Sequence, residues 1–244
     1  MDRNYLLRVY LKHNPDPDSY LWEIPAVREL AAGEGLTFRR PVTFFVGENG
    51  TGKSTLLEAI AVASGFNAEG GSRDFSFSTR ASHSGLYECL GTVRGVRPED
   101  GFFLRAESFY NAASYLEQVE SRLERYGGVS FHEQSHGEAF LSLVLNRFEG
   151  RGLYLLDEPE AALSPQRLMA LICGMDSLVK RDSQFIIATH SPILMAYPGA
   201  EVLGFSEQGI RPVDYRETEH YQLTKRFMEN PERMMRYLLE EAAF

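Results

Sequence analysis

Eight residues in the first quarter of the chain, Gly47-Glu48-Asn49-Gly50-Thr51-Gly52-Lys53-Ser54, follow the spacing G-x-x-x-x-G-K-[ST]. The chemistry such a run performs is phosphate binding. Glycines let the backbone curl until successive N–H groups, those of Asn49, Gly50, Thr51, Gly52, Lys53, Ser54 and Thr55, point inward at phosphate oxygens. Lys53 then supplies a point charge for the β- and γ-phosphates, and the Ser54 hydroxyl a ligand for Mg²⁺. Two further sets could complete a nucleotide-hydrolysing site. LYLLDEPE (153–160) ends an apolar run in Asp157, suited to hold Mg²⁺ through its water shell, followed by Glu158, suited to orient or deprotonate a water. QFIIATHSP (184–192) ends another apolar run in His190, within reach of a γ-phosphate.

Each set needs an element to position it. VTFFV (42–46) is a short apolar run of the kind buried on both faces of a parallel sheet, and LLEAIAVAS (56–64) suits a buried helix. The glycine-rich loop therefore joins a strand to the positive N-terminal end of a helix. LYLL (153–156) and QFIIAT (184–189) read as buried strands separated by a helical stretch, PQRLMALICGMDSLVK (165–180). A carboxylate just past such a strand lies at the sheet edge where ligands bind in these folds. Further strands are expected at YLLRVYL (5–11), LTFRR (36–40) and GFFLRAES (101–108). Residues 65–100 read as a loop-rich excursion with short strands. Helices are expected at 113–127, at 137–150, and from Pro231, capped by Asn230. Alternating strands and helices give an α/β fold: a mostly parallel sheet flanked by helices, with a small N-terminal antiparallel β part.

Composition narrows the surroundings. The chain has 244 residues, 43% hydrophobic, with 25 basic against 34 acidic residues and a net charge of -9. Its apolar runs fall short of the ~20 residues a membrane span needs, and the N-terminus lacks a signal-type apolar core, so a cytoplasmic protein is expected. The acidic balance does not favour a nucleic-acid partner. Arg39, Arg40, Arg122, Arg125, Lys180 and Arg181 are the residues that could still form a basic patch. Two cysteines, Cys89 and Cys173, build neither a disulfide framework nor a cysteine zinc cluster.

The three motifs, in this order and spacing, resemble the ATP-binding-cassette (ABC) ATPases. Gly47–Ser54 is similar to Walker A, LYLLDE (153–158) to Walker B with catalytic Glu158, and His190 to the switch histidine. The stretch Gln134-Ser135-His136-Gly137-Glu138 stands where the family carries its signature before a helix; Ser135 and Gly137 keep its serine and second glycine. ALSP (162–165) lies at the D-loop position. SHGE, DEPEAALSP and ATHSP look closer to stand-alone bacterial and phage ATPases. These are relatives of the chromosome-maintenance and repair ATPase heads and of the OLD-type ATPases. The resemblance implies one ATPase domain over 1–244, with a helical signature subdomain at about 108–150. It implies ATP with Mg²⁺, held by Ser54 and Asp157 and, at the Q-loop position, Glu107. It further implies ATP-dependent head-to-tail homodimerisation in which Ser135 and Gly137 act in trans, and an unidentified protein partner, with DNA maintenance and phage defence as settings. Too few residues separate Glu107 from Ser135 for a coiled-coil arm.

Other functions compete. A transporter's nucleotide-binding subunit would show LSGGQ and a Q-loop glutamine. A slow ATP-gated binding switch is separated by turnover, and a P-loop kinase would need neither the signature nor His190. His132-Glu-Gln-Ser-His136 also spells the zinc-protease pattern H-E-x-x-H, which requires both histidines on one helical face. Ser135 reads instead as an N-cap, leaving His132 in the preceding loop.

Overall fold

The computed structural model describes residues 4–72, 84–106 and 134–241. Two sheets organise them. The larger has six strands: β3 (Val42–Gly47), β5 (Asp100–Arg105), β6 (Gly152–Asp157), β7 (Gln184–Ala188), β8 (Glu201–Ser206) and β9 (Gly209–Pro212). Their order is β5-β6-β7-β3-β8-β9, parallel throughout except the β8–β9 hairpin. The smaller, antiparallel sheet runs β2-β1-β4, from β1 (Leu6–Leu11), β2 (Leu36–Thr37) and β4 (Leu90–Arg94).

The central strands are apolar on both faces because both faces are covered. Side chains alternate along a strand, so Phe44 enters one core layer and Phe45 the other, as do Phe102 and Phe103. The first layer is closed by α4 (His136–Arg147), α5 (Pro165–Val179) and α6 (Pro192–Met195), through Phe140, Leu171 and Leu194. The second is closed by α1 (Pro25–Ala32), α2 (Lys53–Ala63), the short α3 (Leu86–Cys89) and the small sheet, through Val27, Leu56, Ile60 and Val9. Two more helices follow β9: α7 (Glu219–Glu229) and α8 (Pro231–Glu241). No helix among the described residues is long and apolar enough to cross a membrane.

Several expectations change in detail. LTFRR contributes only Leu36–Thr37 to a strand, and β5 ends at Arg105. The excursion at 65–100 contains α3 as well as β4, and β4 pairs with β1, so the antiparallel part is not confined to the N-terminus. Elements α1, β8, β9 and α7 were not expected. The helix at 113–127 lies outside the described residues. Asn230 accepts a hydrogen bond from the Arg233 N–H (3.0 Å) at the start of α8. Of the aromatics upstream of the loop, Phe38 is buried against Phe45 (ring centroids 6.3 Å apart), whereas Tyr20 is exposed.

One side chain ties the two sheets together. Gln184, 1% exposed, accepts hydrogen bonds at Oε1 from the N–H groups of Tyr5 (2.8 Å) and Leu6 (2.9 Å) and donates from Nε2 to the Leu6 carbonyl (2.9 Å). An apolar replacement strands buried backbone donors, each costing roughly 1–3 kcal/mol. Gln184→Leu is therefore expected to destabilise the protein by about 2–4 kcal/mol, read from urea unfolding curves. A loss below ~1 kcal/mol would show that this tie contributes little.

Candidate functional site

The three motifs converge at the C-terminal ends of β3, β6 and β7. The loop after β3 is built around left-handed glycines. Gly47 has φ +140°, and a Cβ there would lie 2.2 Å from the Phe205 carbonyl oxygen on β8. Gly52, at φ +96°, is the N-cap of α2, and a Cβ there would meet Ile24 at 2.4 Å. Both positions exclude a side chain by conformation and by space.

Lys53 opens α2 and is 4% exposed. Its Nζ donates to the carbonyls of Gly47 and Glu48, both at 2.7 Å. Burial lowers its pKa, while the negative charges of Glu158, Asp157, Glu160 and Glu48 act the other way. The Ser54 hydroxyl donates to Asp157 Oδ1 at 2.8 Å, so residues over 100 positions apart form one oxygen-donor pair. These are hard oxygen ligands of the type Mg²⁺ takes, and their chemistry fits a Mg–nucleotide. Asp157 is itself held from behind. Arg105 Nε lies 3.4 Å from Asp157 Oδ2, and Arg105 Nη1 donates to Glu58 Oε2 at 2.6 Å.

Glu158 follows with a left-handed backbone, φ 49°, pinned by its N–H to the Ala188 carbonyl (2.9 Å). That conformation carries strain for a non-glycine residue and turns the side chain off the strand. Its carboxylate is half exposed, with Oε1 3.5 Å from His190 Nε2. Burial first, and the positive charge of Lys53 second, hold the His190 pKa below its ordinary value. Glu160 lies beneath, accepting from the Thr189 hydroxyl (2.8 Å) and the His190 N–H, and burial raises its pKa. A cavity of about 560 Å³ opens over this cluster, lined by Glu48, Asn49, Glu158, His190, Glu219, His220 and Leu223.

The structure thus brings together the loop of Asn49, Gly50, Thr51, Gly52, Lys53, Ser54 and Thr55 with Asp157, Glu158 and His190. Ser135 and Gly137 stand elsewhere, at the start of α4. Ser135 is the N-cap; its N–H and hydroxyl both donate to Glu138 Oε2, at 2.9 and 2.6 Å. Arg167 on α5 completes the group, 2.8 Å from Glu138 and 3.3 Å from the Ser135 hydroxyl. Gly137 is required by close packing, since a Cβ would lie 2.6 Å from the Ala162 carbonyl oxygen. His136 is the first residue of α4. Glu107, His132, Arg122 and Arg125 lie outside the described residues. In the expected basic patch, Lys180 pairs with Asp176 (2.6 Å) and Arg39 with Glu201 (3.7 Å).

Sequence reasoning missed Arg105, Glu160 and His220. Glu160 carried a signal, a carboxylate two residues past Glu158, and Arg105 another, a cation ending an apolar strand. His220 carried none.

The family model described as "AAA domain" matches residues 26–136, and that described as "AAA domain, putative AbiEii toxin, Type IV TA system" matches residues 124–196. No curated protein matches the chain in sequence. Among solved structures, cbiO1 from Clostridium perfringens, part of the ABC transporter complex cbiONQ, superposes with a TM-score of 0.53 at 18% identity, covering 97% of this chain and 99% of that one. A putative metal-chelate type ABC transporter in an inward-facing conformation superposes with a TM-score of 0.50 at 15% identity, covering 91% of this chain and 88% of that one. At such identities the likeness is one of fold.

Proposed function

We propose that this chain is an ABC-type P-loop ATPase domain that binds ATP with Mg²⁺, hydrolyses it, and dimerises head to tail in doing so. The carrying observation is the convergence at one sheet edge of Lys53, the Ser54–Asp157 pair (2.8 Å), Glu158 and His190. The N–H groups of the 49–55 loop and Lys53 bind the phosphates. Ser54 and Asp157 hold Mg²⁺, which when bound neutralises charge on the β- and γ-phosphates. We propose Glu107 as a third contact to the ion or its water.

Glu158 orients a water in line with the γ-phosphorus and accepts its proton. The new P–O bond forms as the bond to the β,γ-bridging oxygen breaks, giving ADP and phosphate. His190 donates a hydrogen bond to the γ-phosphoryl oxygens. Ser135 and Gly137 reach the γ-phosphate of the other copy, which is consistent with their place on α4 rather than at the chain's own loop. We take residues 1–244 as one such domain, with a helical signature subdomain at about 108–150, acting in the cytoplasm. Its dimerisation works a protein partner in DNA maintenance or phage defence. The toxin–antitoxin wording of the second family description supports a defence setting.

The test is the solution mass of the Glu158→Gln variant, by light scattering after gel filtration, with and without Mg-ATP. Monomer is expected without nucleotide and dimer with it, and Ser135→Arg in the same background should restore the monomer. A monomer that binds ATP would refute the two-site sandwich.

A further inference from the structure

The unexpected helix α7 puts a second imidazole against the first. His220 Nε2 lies 2.8 Å from His190 Nδ1, with ring centroids 4.5 Å apart and planes tilted by 52°. Two ring nitrogens at that separation share one hydrogen, so one donates and the other accepts. The other face of His190 decides which. Its Nε2 lies 3.5 Å from Glu158 Oε1, and an ionised carboxylate only accepts. The neutral ring therefore carries its hydrogen on Nε2, leaving Nδ1 as the acceptor, and His220 must donate. Burial and the neighbouring Lys53 charge favour that neutral ring.

We propose that His220 is a positioning residue for hydrolysis: its Nε2–H holds the His190 ring so that the His190 Nε2–H is presented to the γ-phosphate and to Glu158. The inference rests on the ATPase reading above and adds a residue that none of the three motifs contains. The position of His220 is itself built. It is the second residue of α7, whose N-cap Thr218 donates to the Tyr215 carbonyl at 2.6 Å and accepts from the Tyr221 N–H at 3.4 Å. Glu219 and Leu223 of the same helix line the cavity over the site. A distant part of the chain thus closes one side of the reaction centre.

Two measurements test this. In the unmodified ¹⁵N-labelled protein, nitrogen–nitrogen coupling through the hydrogen bond should join His220 Nε2 to His190 Nδ1, with the proton on His220. Absence of the coupling, or a proton on His190 Nδ1, overturns the proposal whether or not the protein hydrolyses ATP. In steady-state kinetics, His220→Ala should lower kcat roughly tenfold with KM for ATP little changed, the size expected when a partner that orients a functional imidazole is lost. His220→Gln, which keeps a donor near the Nε2 position, should recover most of it. Adding His220→Ala to His190→Ala should cost nothing more. A kcat for His220→Ala within twofold of the parent, or a further loss in the double variant, overturns the proposal. Absence of ATPase activity in the parent, with the coupling present, would fault the ATPase reading and leave the pair intact.

Discussion

Glu158→Gln is expected to lower kcat for ATP hydrolysis by about 10²–10⁴-fold while leaving ATP affinity within a few fold of the parent. The substitution keeps volume and one acceptor oxygen but removes the group that takes the proton of the attacking water. Three contacts that shape the site are made without that charge. The backbone of Glu158 is set by its N–H to the Ala188 carbonyl, the Asp157 pair is made with Ser54, and Glu160 holds the N–H of His190. The side chain is half exposed, so its neutralisation leaves no buried charge unpaired. Phosphate release under single-turnover conditions, alongside calorimetric titration with ATP in Mg²⁺, separates the two effects. A turnover within tenfold of the parent would remove Glu158 from the role of base.

Lys53→Ala is expected to weaken ATP binding by roughly 10²–10³-fold, because a charge-assisted hydrogen bond to phosphate is worth about 1.5–3 kcal/mol and the ammonium makes more than one. The surroundings work in the same direction. Glu158, Asp157, Glu160 and Glu48 all act on Lys53, and its removal leaves the polyanion near those carboxylates without the lysine's compensating charge. Two carbonyls, those of Gly47 and Glu48, lose their shared donor as well, so the loop loses part of what shapes it. Calorimetry with Mg-ATP and with Mg-ADP reads the loss. If ADP binding falls as much as ATP binding, the lysine acts at the β-phosphate; an unchanged affinity for both would place the nucleotide elsewhere.

What was legible in the sequence was local. The loop at 47–54, the strand before it and the helix after it are contiguous, and glycine, lysine and serine each state their requirement through their own chemistry. The same holds for Asp157 at a strand end and for Ser135, whose capping of α4 is settled by Glu138 three residues on. The supporting contacts were not legible because closure of the fold creates them. Arg105 meets Glu58 across 47 positions, His190 meets His220 across 30, and Gln184 meets Leu6 across 178. No periodicity records such meetings. The elements passed over have their own reasons: β8 carries Gly204 in its middle, α1 has eight residues, and α7 is mostly polar with no buried residue.

The strand order has a consequence for how the molecule is born. β3, which delivers the phosphate loop, hydrogen-bonds on one side to β7 and on the other to β8, pairing Val42 with Phe185 and Thr43 with Glu201. Both neighbours leave the ribosome long after it does. At about 5–20 residues per second, β3 waits roughly seven seconds to half a minute for its first partner. During that interval Phe44 and Phe45, each wholly buried in the finished protein, have no sheet to enter. Nucleotide therefore cannot template the early chain, since its cradle closes only once β7 and β8 have emerged. The period of greatest exposure to chaperones and to aggregation comes before ATP can offer any protection.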